Sequence, residues 1–108
     1  MPFVVYLTAD AARDLEELYR YIAKHDAPAK AEHVLTSIEK AFGSLSESPD
    51  RGAHPKELLA LGIRDYREIF FKPYRVVYRV LGNAVHVLLI ADGHRDMQAL
   101  LQRRLLDA

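Results

Sequence analysis

Phe3-Val4-Val5-Tyr6-Leu7 is an unbroken run of β-forming apolar residues and predicts a strand over 3–7. From Ala9 to about Lys24 the pattern changes period. Ala11, Leu15, Leu18, Tyr19 and Ile22 fall on one helical stripe and the opposite face is charged. Thr8 stands where an N-cap is needed, with Asp10 in the first turn. His25-Asp26-Ala27-Pro28 interrupts the helix, Asp26 being the expected N-cap of the next one and Pro28 fitting its first turn. Ala31, Val34, Leu35, Ile38, Ala41, Phe42 and Leu45 then recur at three- and four-residue steps, predicting a helix to about Ser46. Ser48-Pro49-Asp50-Arg51-Gly52 is turn chemistry. Two amphipathic helices so closely joined form an antiparallel hairpin.

The second half alternates differently. Tyr66–Phe71, Tyr74–Leu81 and Ala84–Ala91 are β-rich, separated by Lys72-Pro73 and Gly82-Asn83, two-residue gaps of hairpin type. Asp92-Gly93 ends the last run, and Asp96 can cap a final helix in which Leu100, Leu101 and Leu105 share a face. The expected class is α+β with order β-αα-βββ-α: a small antiparallel sheet joined by the first strand, the helical hairpin on one face, and a C-terminal helix. One domain spanning 1–108 is expected, without repeats or linkers.

Two-residue loops fix a register in which Phe71 faces Tyr74 and Leu81 faces Ala84. One face then holds Ile69, Phe71, Tyr74, Val76, Tyr78, Val80, Val85, Val87 and Leu89, and must pack on the helices. Arg67 falls on it near a strand end, where its head reaches water. The other face holds Tyr66, Glu68, Phe70, Arg75, Val77, Arg79, His86, Leu88 and Ile90. Arg79 lies opposite His86, and Glu68 opposite Val77, diagonal to Arg75 and Arg79. Either this is a solvated face with ion pairs worth about 0–1 kcal/mol each, or it is a binding or catalytic surface. Arg can hold a phosphate, His moves protons near neutral pH, and Glu can act as base.

Composition narrows the classes. With 50% hydrophobic and 28% charged residues the chain is globular. No apolar run nears the ~20 residues of a membrane span, and the opening residues carry no secretory pattern, so a cytoplasmic location is expected. The absence of cysteine excludes disulfides, thiolate zinc sites and a Cys nucleophile. Asp92, His94 and Asp96 alternate, but a turn with so incomplete a ligand set reads as loop and helix cap; no metal or cofactor is expected. The formal net charge is zero, yet residues 1–50 carry five cations against nine anions and residues 51–108 ten against six. The positive half is rich in Arg, and Arg103-Arg104 extend it into the tail, either as a solvated helix face or as part of a partner surface.

Tyr74-Arg75-Val76-Val77-Tyr78-Arg79-Val80, the Gly-Asn turn, Val85–Ile90 and Gly93-His94-Arg95-Asp96 resemble the C-terminal signature of the ParE/RelE superfamily of toxins. Residues 7–15 are similar to that family's first strand and helix start. The resemblance implies the growth-arresting half of a bacterial type II toxin–antitoxin pair, with a small antitoxin covering the Arg75/Arg79 face or the helical hairpin. It also implies one of two activities. RelE-like members cleave mRNA on the ribosome, and ParE-like members poison DNA gyrase. Arg75 and Arg95 match arginines that are catalytic in the nucleases, and Arg67 matches a lysine. The nucleases' tail tyrosine falls near Leu101 and a second lysine near Ile69, apolar residues that cannot do acid–base work. His94, or His86 with Glu68, could substitute. The resemblance thus leans toward gyrase, with Arg67, Arg75, Arg79, His86, Arg95, Arg103 and Arg104 as the binding set. The neutral charge points the same way, since phosphate neutralisation dominates RNA affinity. An mRNA endonuclease using Arg75, Arg95 and His94 is the alternative, and a degenerate, non-toxic partner-binding domain is the third.

Overall fold

The computed structural model describes residues 2–107, and the side chains of 2–106. Its elements are β1 (Val4–Leu7), α1 (Ala9–His25), α2 (Pro28–Glu47), a 3-10 turn (Pro49–Arg51), α3 (Lys56–Leu59), β2 (Arg67–Phe71), β3 (Tyr74–Leu81), β4 (Ala84–Asp92) and α4 (Met97–Asp107). The sheet order is β1-β4-β3-β2. Strands β2, β3 and β4 form the expected antiparallel meander. β1 runs parallel to β4, so the sheet is mixed. The helical hairpin between β1 and the meander frees β1 from the antiparallel direction a tight turn would impose.

Local signals act as the pattern requires. Thr8 Oγ1 accepts from the Ala11 amide at 3.1 Å, and Asp96 Oδ1 from the Ala99 amide at 3.1 Å. Gly82 supplies the positive φ, 60°, of a tight hairpin turn. Asp26 does not cap α2. Its amide closes the end of α1 on the Ile22 carbonyl, and its carboxylate pairs with Lys30. Ala27 is the N-cap of α2, without a side-chain bond, and Pro28 opens the helix. The junction falls one residue later than expected, so Asp26 is the C-cap of α1 and Ala27 takes the N-cap position of α2.

Register follows the two tight loops: Phe71 opposes Tyr74, Leu81 opposes Ala84, Arg79 opposes His86 and Glu68 opposes Val77. It then shifts. Tyr78 pairs with Val87 but Val77 with Leu89, leaving Leu88 as the extra residue of a β-bulge. Beyond the bulge the faces exchange. Ile90 packs into the helix-side core with Ile38, Val76 and Tyr78, while Leu89 joins the opposite cluster. The expected placement of Leu89 toward the helices and Ile90 away from them is therefore reversed.

The outer face is not a solvated one. Leu58 of α3, together with Met97 and Leu101 of α4, covers Tyr66, Val77, Leu88, Leu89 and Ala91. The last helix is docked, and Arg104 helps hold it. Its guanidinium donates to Asp14 Oδ2 (2.8 Å), to Asp14 Oδ1 (3.0 Å) and to the Leu88 carbonyl (2.8 Å). Asp14 Oδ2 also accepts the Ile90 amide at 3.0 Å. Past Val87, where β1 has ended, side chains from α1 and α4 thus satisfy backbone groups of β4. Arg104 is a tie within the fold, whereas Arg103 is exposed.

On the other side of β2 the segment after α2 folds back on the sheet. Ala53 and Glu68 exchange backbone bonds of 3.2 and 2.7 Å. Tyr78, fully buried, donates to the Pro49 carbonyl (2.7 Å) and accepts from the Gly52 amide (3.0 Å). A Cβ on Gly52 would stand 2.6 Å from both the Glu68 carbonyl oxygen and Tyr78 Oη. Close approach, rather than φ, requires glycine there.

Candidate functional site

Near the start of β3, Arg75 points to the outer face but is only 6% exposed. Its Nε donates to Glu68 Oε1 at 2.6 Å. Its two terminal nitrogens donate to the two oxygens of Glu57, at 2.8 and 2.7 Å. Glu68 comes from β2, across the sheet pair, and Glu57 from α3, which Leu58 anchors in the outer core. Gly93 completes the enclosure. A Cβ there would meet Arg75 Cδ at 3.0 Å and the Pro73 carbonyl at 3.1 Å, so the bare backbone lets the turn after β4 lie on the arginine stem. Phe70 approaches from the side, its ring centroid 5.8 Å from Arg75 Cζ.

Charge bonding and burial shift all three groups, in different directions. The Glu57 hydrogen bonds, followed by those of Glu68, raise Arg75 above its ordinary range despite burial. Arg75 holds Glu57 below the usual carboxylate range, against a smaller opposing effect of burial. Burial pushes Glu68 upward, opposed by Arg75 and reinforced by the nearby Glu57 charge. Two carboxylates thus share one guanidinium, and both bidentate edges of its fork are in use.

A cleft of about 590 Å³ opens beside this cluster, with His54, Lys56, Phe70, Lys72 and His94 on its walls. His54 Nδ1 is 3.0 Å from the Tyr66 carbonyl, which can only accept, so Nε2 is left to face other partners. His94 is exposed, with its amide and Nδ1 both on Asp92 Oδ1 at 2.8 and 2.9 Å.

The expected site residues therefore divide. Arg75, Glu68 and His94 come together around one cleft. Arg95 lines a different cleft of about 420 Å³, with Tyr21, Tyr74 and Asp92. Arg67 is spent on the loop before α3, donating to the Gly52 carbonyl at 2.8 Å. Arg79 and His86 lie side by side farther along the sheet. Arg79 lies over the Tyr66 ring at 5.4 Å, and the His86 ring stacks on Tyr6 at 5.4 Å. Sequence reasoning missed Glu57, His54, Lys56 and Lys72. Pro55 followed by Lys56-Glu57-Leu58-Leu59 is a helix-start signal that could have marked α3, though not its contact with Arg75.

The architecture is thus α+β: a four-stranded mixed sheet with a helical hairpin on one face and a docked C-terminal helix on the other. Residues 5–97 match the family described as the ParE toxin of the type II toxin–antitoxin system parDE, and the chain belongs to that family. Toxin ParE3 of Caulobacter vibrioides is 30% identical over 100 residues, covering 93% of this chain and 96% of that one. Toxin RelE1 of the same organism is 33% identical over 97 residues, covering 86% and 96%. Among solved structures, the chromosomal ParDE system from P. aeruginosa superposes with a TM-score of 0.69 at 24% identity, over 83% of this chain and 95% of that one, a likeness of fold. The RelBE2 toxin–antitoxin complex from Mycobacterium tuberculosis gives 0.59 at 27% identity, over 85% and 99%.

Proposed function

We propose that this ParE-family toxin arrests bacterial growth by binding a protein target, DNA gyrase, and does not cleave RNA. The observation that carries this reading is Arg75. The arginine a nuclease of this fold would turn on a phosphate is buried and bound on both edges by Glu57 and Glu68. The positions where the resemblance calls for acid–base groups support it too, since Ile69 and Leu101 are buried in the two cores. The second arginine, Arg95, lines another cleft. On this reading the target-binding set contracts to the accessible Arg79, His86, Arg95 and Arg103. Arg67, Arg75 and Arg104 serve the fold.

The chains solved in ParDE and RelBE2 systems support a small antitoxin as the natural partner. On this reading the toxin–antitoxin hetero-oligomer acts in the cytoplasm and stabilises the plasmid or chromosome that encodes it. No helix among the described residues is long and apolar enough to cross a membrane. Mechanistically, the chain works by surface complementarity from one domain, 1–108, without a cofactor.

RelE-like mRNA cleavage is the second reading. The grouping of His54, His94, Lys56 and Lys72 around Arg75 and Glu68 favours it. Inducing the chain alone in bacteria separates the two. Filamentation with gyrase-dependent DNA breaks is expected, and a rapid stop in translation with cleavage in the ribosomal A site would replace the first reading by the second. Unaffected growth with a soluble, folded product would leave a non-toxic partner-binding domain.

A further inference from the structure

The strand register sets four side chains in one row across the outer face, away from the Arg75 cleft. Tyr6 of β1 lies beside His86 of β4, and His86 beside Arg79 of β3. Tyr66, one residue before β2, continues the row on the far side. The His86 ring stacks on Tyr6, and the Arg79 guanidinium lies over the Tyr66 ring. On one side of the row α4 covers Val77 and Leu88. On the other the sheet is open, and Val4 and Leu81, 49% and 46% exposed, flank Ala84 as an aliphatic shelf.

Hydrogen bonding in this row is incomplete. Arg79 Nε is sealed from water without an acceptor, the one buried side-chain nitrogen or oxygen so placed among the described residues. A buried donor in that state is a cost that an arriving acceptor removes. The Arg79 ion pair with Asp65 is loose, at 3.9 Å, and Asp65 is exposed. The His86 ring makes no hydrogen bond among the described residues, and an imidazole carries at least one N–H donor in either charge state.

We infer that this row is a receptor for a protein carboxylate: an Asp or Glu side chain of the target seats between Arg79 and His86, and the apolar residues beside it in the partner's chain lie on Val4 and Leu81.

The Arg79 side chain is 36% exposed, so the guanidinium can turn its Nε edge outward to a carboxylate, and the turn breaks no hydrogen bond because Nε has none. Nucleic acid suits the row less well. Each tyrosine ring already gives a face to His86 or Arg79, the shelf is aliphatic, and one arginine beside Asp65 is a small charge for a polyanion.

The identity of the partner rests on the gyrase reading; the chemistry of the row does not, and two experiments keep them apart. In the first, the isotope-labelled full chain is titrated in heteronuclear NMR with a peptide of alternating leucine and glutamate, with its glutamine counterpart and with oligouridylate. The glutamate peptide is expected to move the Arg79 Nε–H and His86 signals and to bind at least about tenfold more tightly than the glutamine peptide. In the second, Arg79→Gln is expected to need at least about tenfold more toxin to inhibit purified gyrase, and Arg79→Lys, which keeps the charge but has no Nε donor, is expected to lose less. A row that answers to the glutamate peptide in a chain that does not inhibit gyrase discards the gyrase reading and upholds the receptor. Equal binding of the two peptides, a response to oligouridylate alone, or gyrase inhibition undiminished in folded Arg79→Gln and His86→Ala overturns the inference. If Arg79→Gln does not melt cooperatively, Arg79→Lys and His86→Ala decide the same comparison.

Discussion

The two faces of the sheet are held by different forces. On the helix side, Ile22, Val34, Ile38, Leu45, Val76, Tyr78 and Ile90 form an apolar core whose residues recur at helical or strand periods. On the outer side a smaller apolar cluster is stitched down by charged groups. Arg75 binds Glu57 and Glu68, and Arg104 binds Asp14. The first face depends on shape and volume, the second on pairing. Burial of charge is stabilising only while each charge keeps its partner, so the outer face should fail in a way the inner face does not.

The largest effects expose that contrast. Arg75→Ala leaves two enclosed carboxylates without a cation and should cost about 3–5 kcal/mol in urea unfolding at neutral pH. Ile38→Ala, at a site with no exposed surface, should cost about 2–5 kcal/mol through lost burial and a cavity. Acid then separates them. Without the guanidinium burial raises both carboxyls, so those of Arg75→Ala take up protons from above the ordinary glutamate value of 4.5 downward and its penalty shrinks as pH falls, whereas that of Ile38→Ala stays constant. Equal pH dependence of the two penalties would remove the distinction between the faces.

A smaller effect is expected for Arg104→Ala. Loss of its bonds to Asp14 and the Leu88 carbonyl should cost about 1.5–3 kcal/mol. Hydrogen exchange should quicken in α4 and around the bulge before it does in α2. Gly52→Ala should cost about 1–3 kcal/mol by forcing the loop off Tyr78 and the Glu68 carbonyl, read as a lower melting temperature. Glu57→Gln is the finest probe. Glu57 sits below its ordinary value in the fold, so its stabilisation is complete above 4.5 and is lost as pH falls through the depressed value. The variant lacks that loss, and its stability should fall less steeply with acid than that of the natural chain.

Much of the inner face was legible in the sequence because a helical stripe and a two-residue hairpin each leave a periodic trace. The stripe of α2, the cap at Thr8, and the Arg79–His86 and Glu68–Val77 pairings all follow from it. The bulge left none. Val87-Leu88-Leu89-Ile90-Ala91 is apolar throughout, so alternation carries no parity there and an extra residue is invisible. The candidate site was legible to the same depth. The nearness of Arg75 to Glu68 follows from strand register, but Glu57 reaches Arg75 through a loop and one short helical turn, contacts no local pattern encodes. The same gap explains why Arg67 and Arg104, which read as surface cations, turn out to hold the loop before α3 and the last helix.

On the proposed reading Arg75 is committed to the fold and the toxin has no RNA-cleaving centre. Primer extension on mRNA in a translation reaction given the purified chain tests it most directly. The account predicts transcripts intact at the ribosomal A site, at toxin concentrations that inhibit purified gyrase. A-site cuts that vanish in an Arg75→Lys variant with unchanged melting would contradict it.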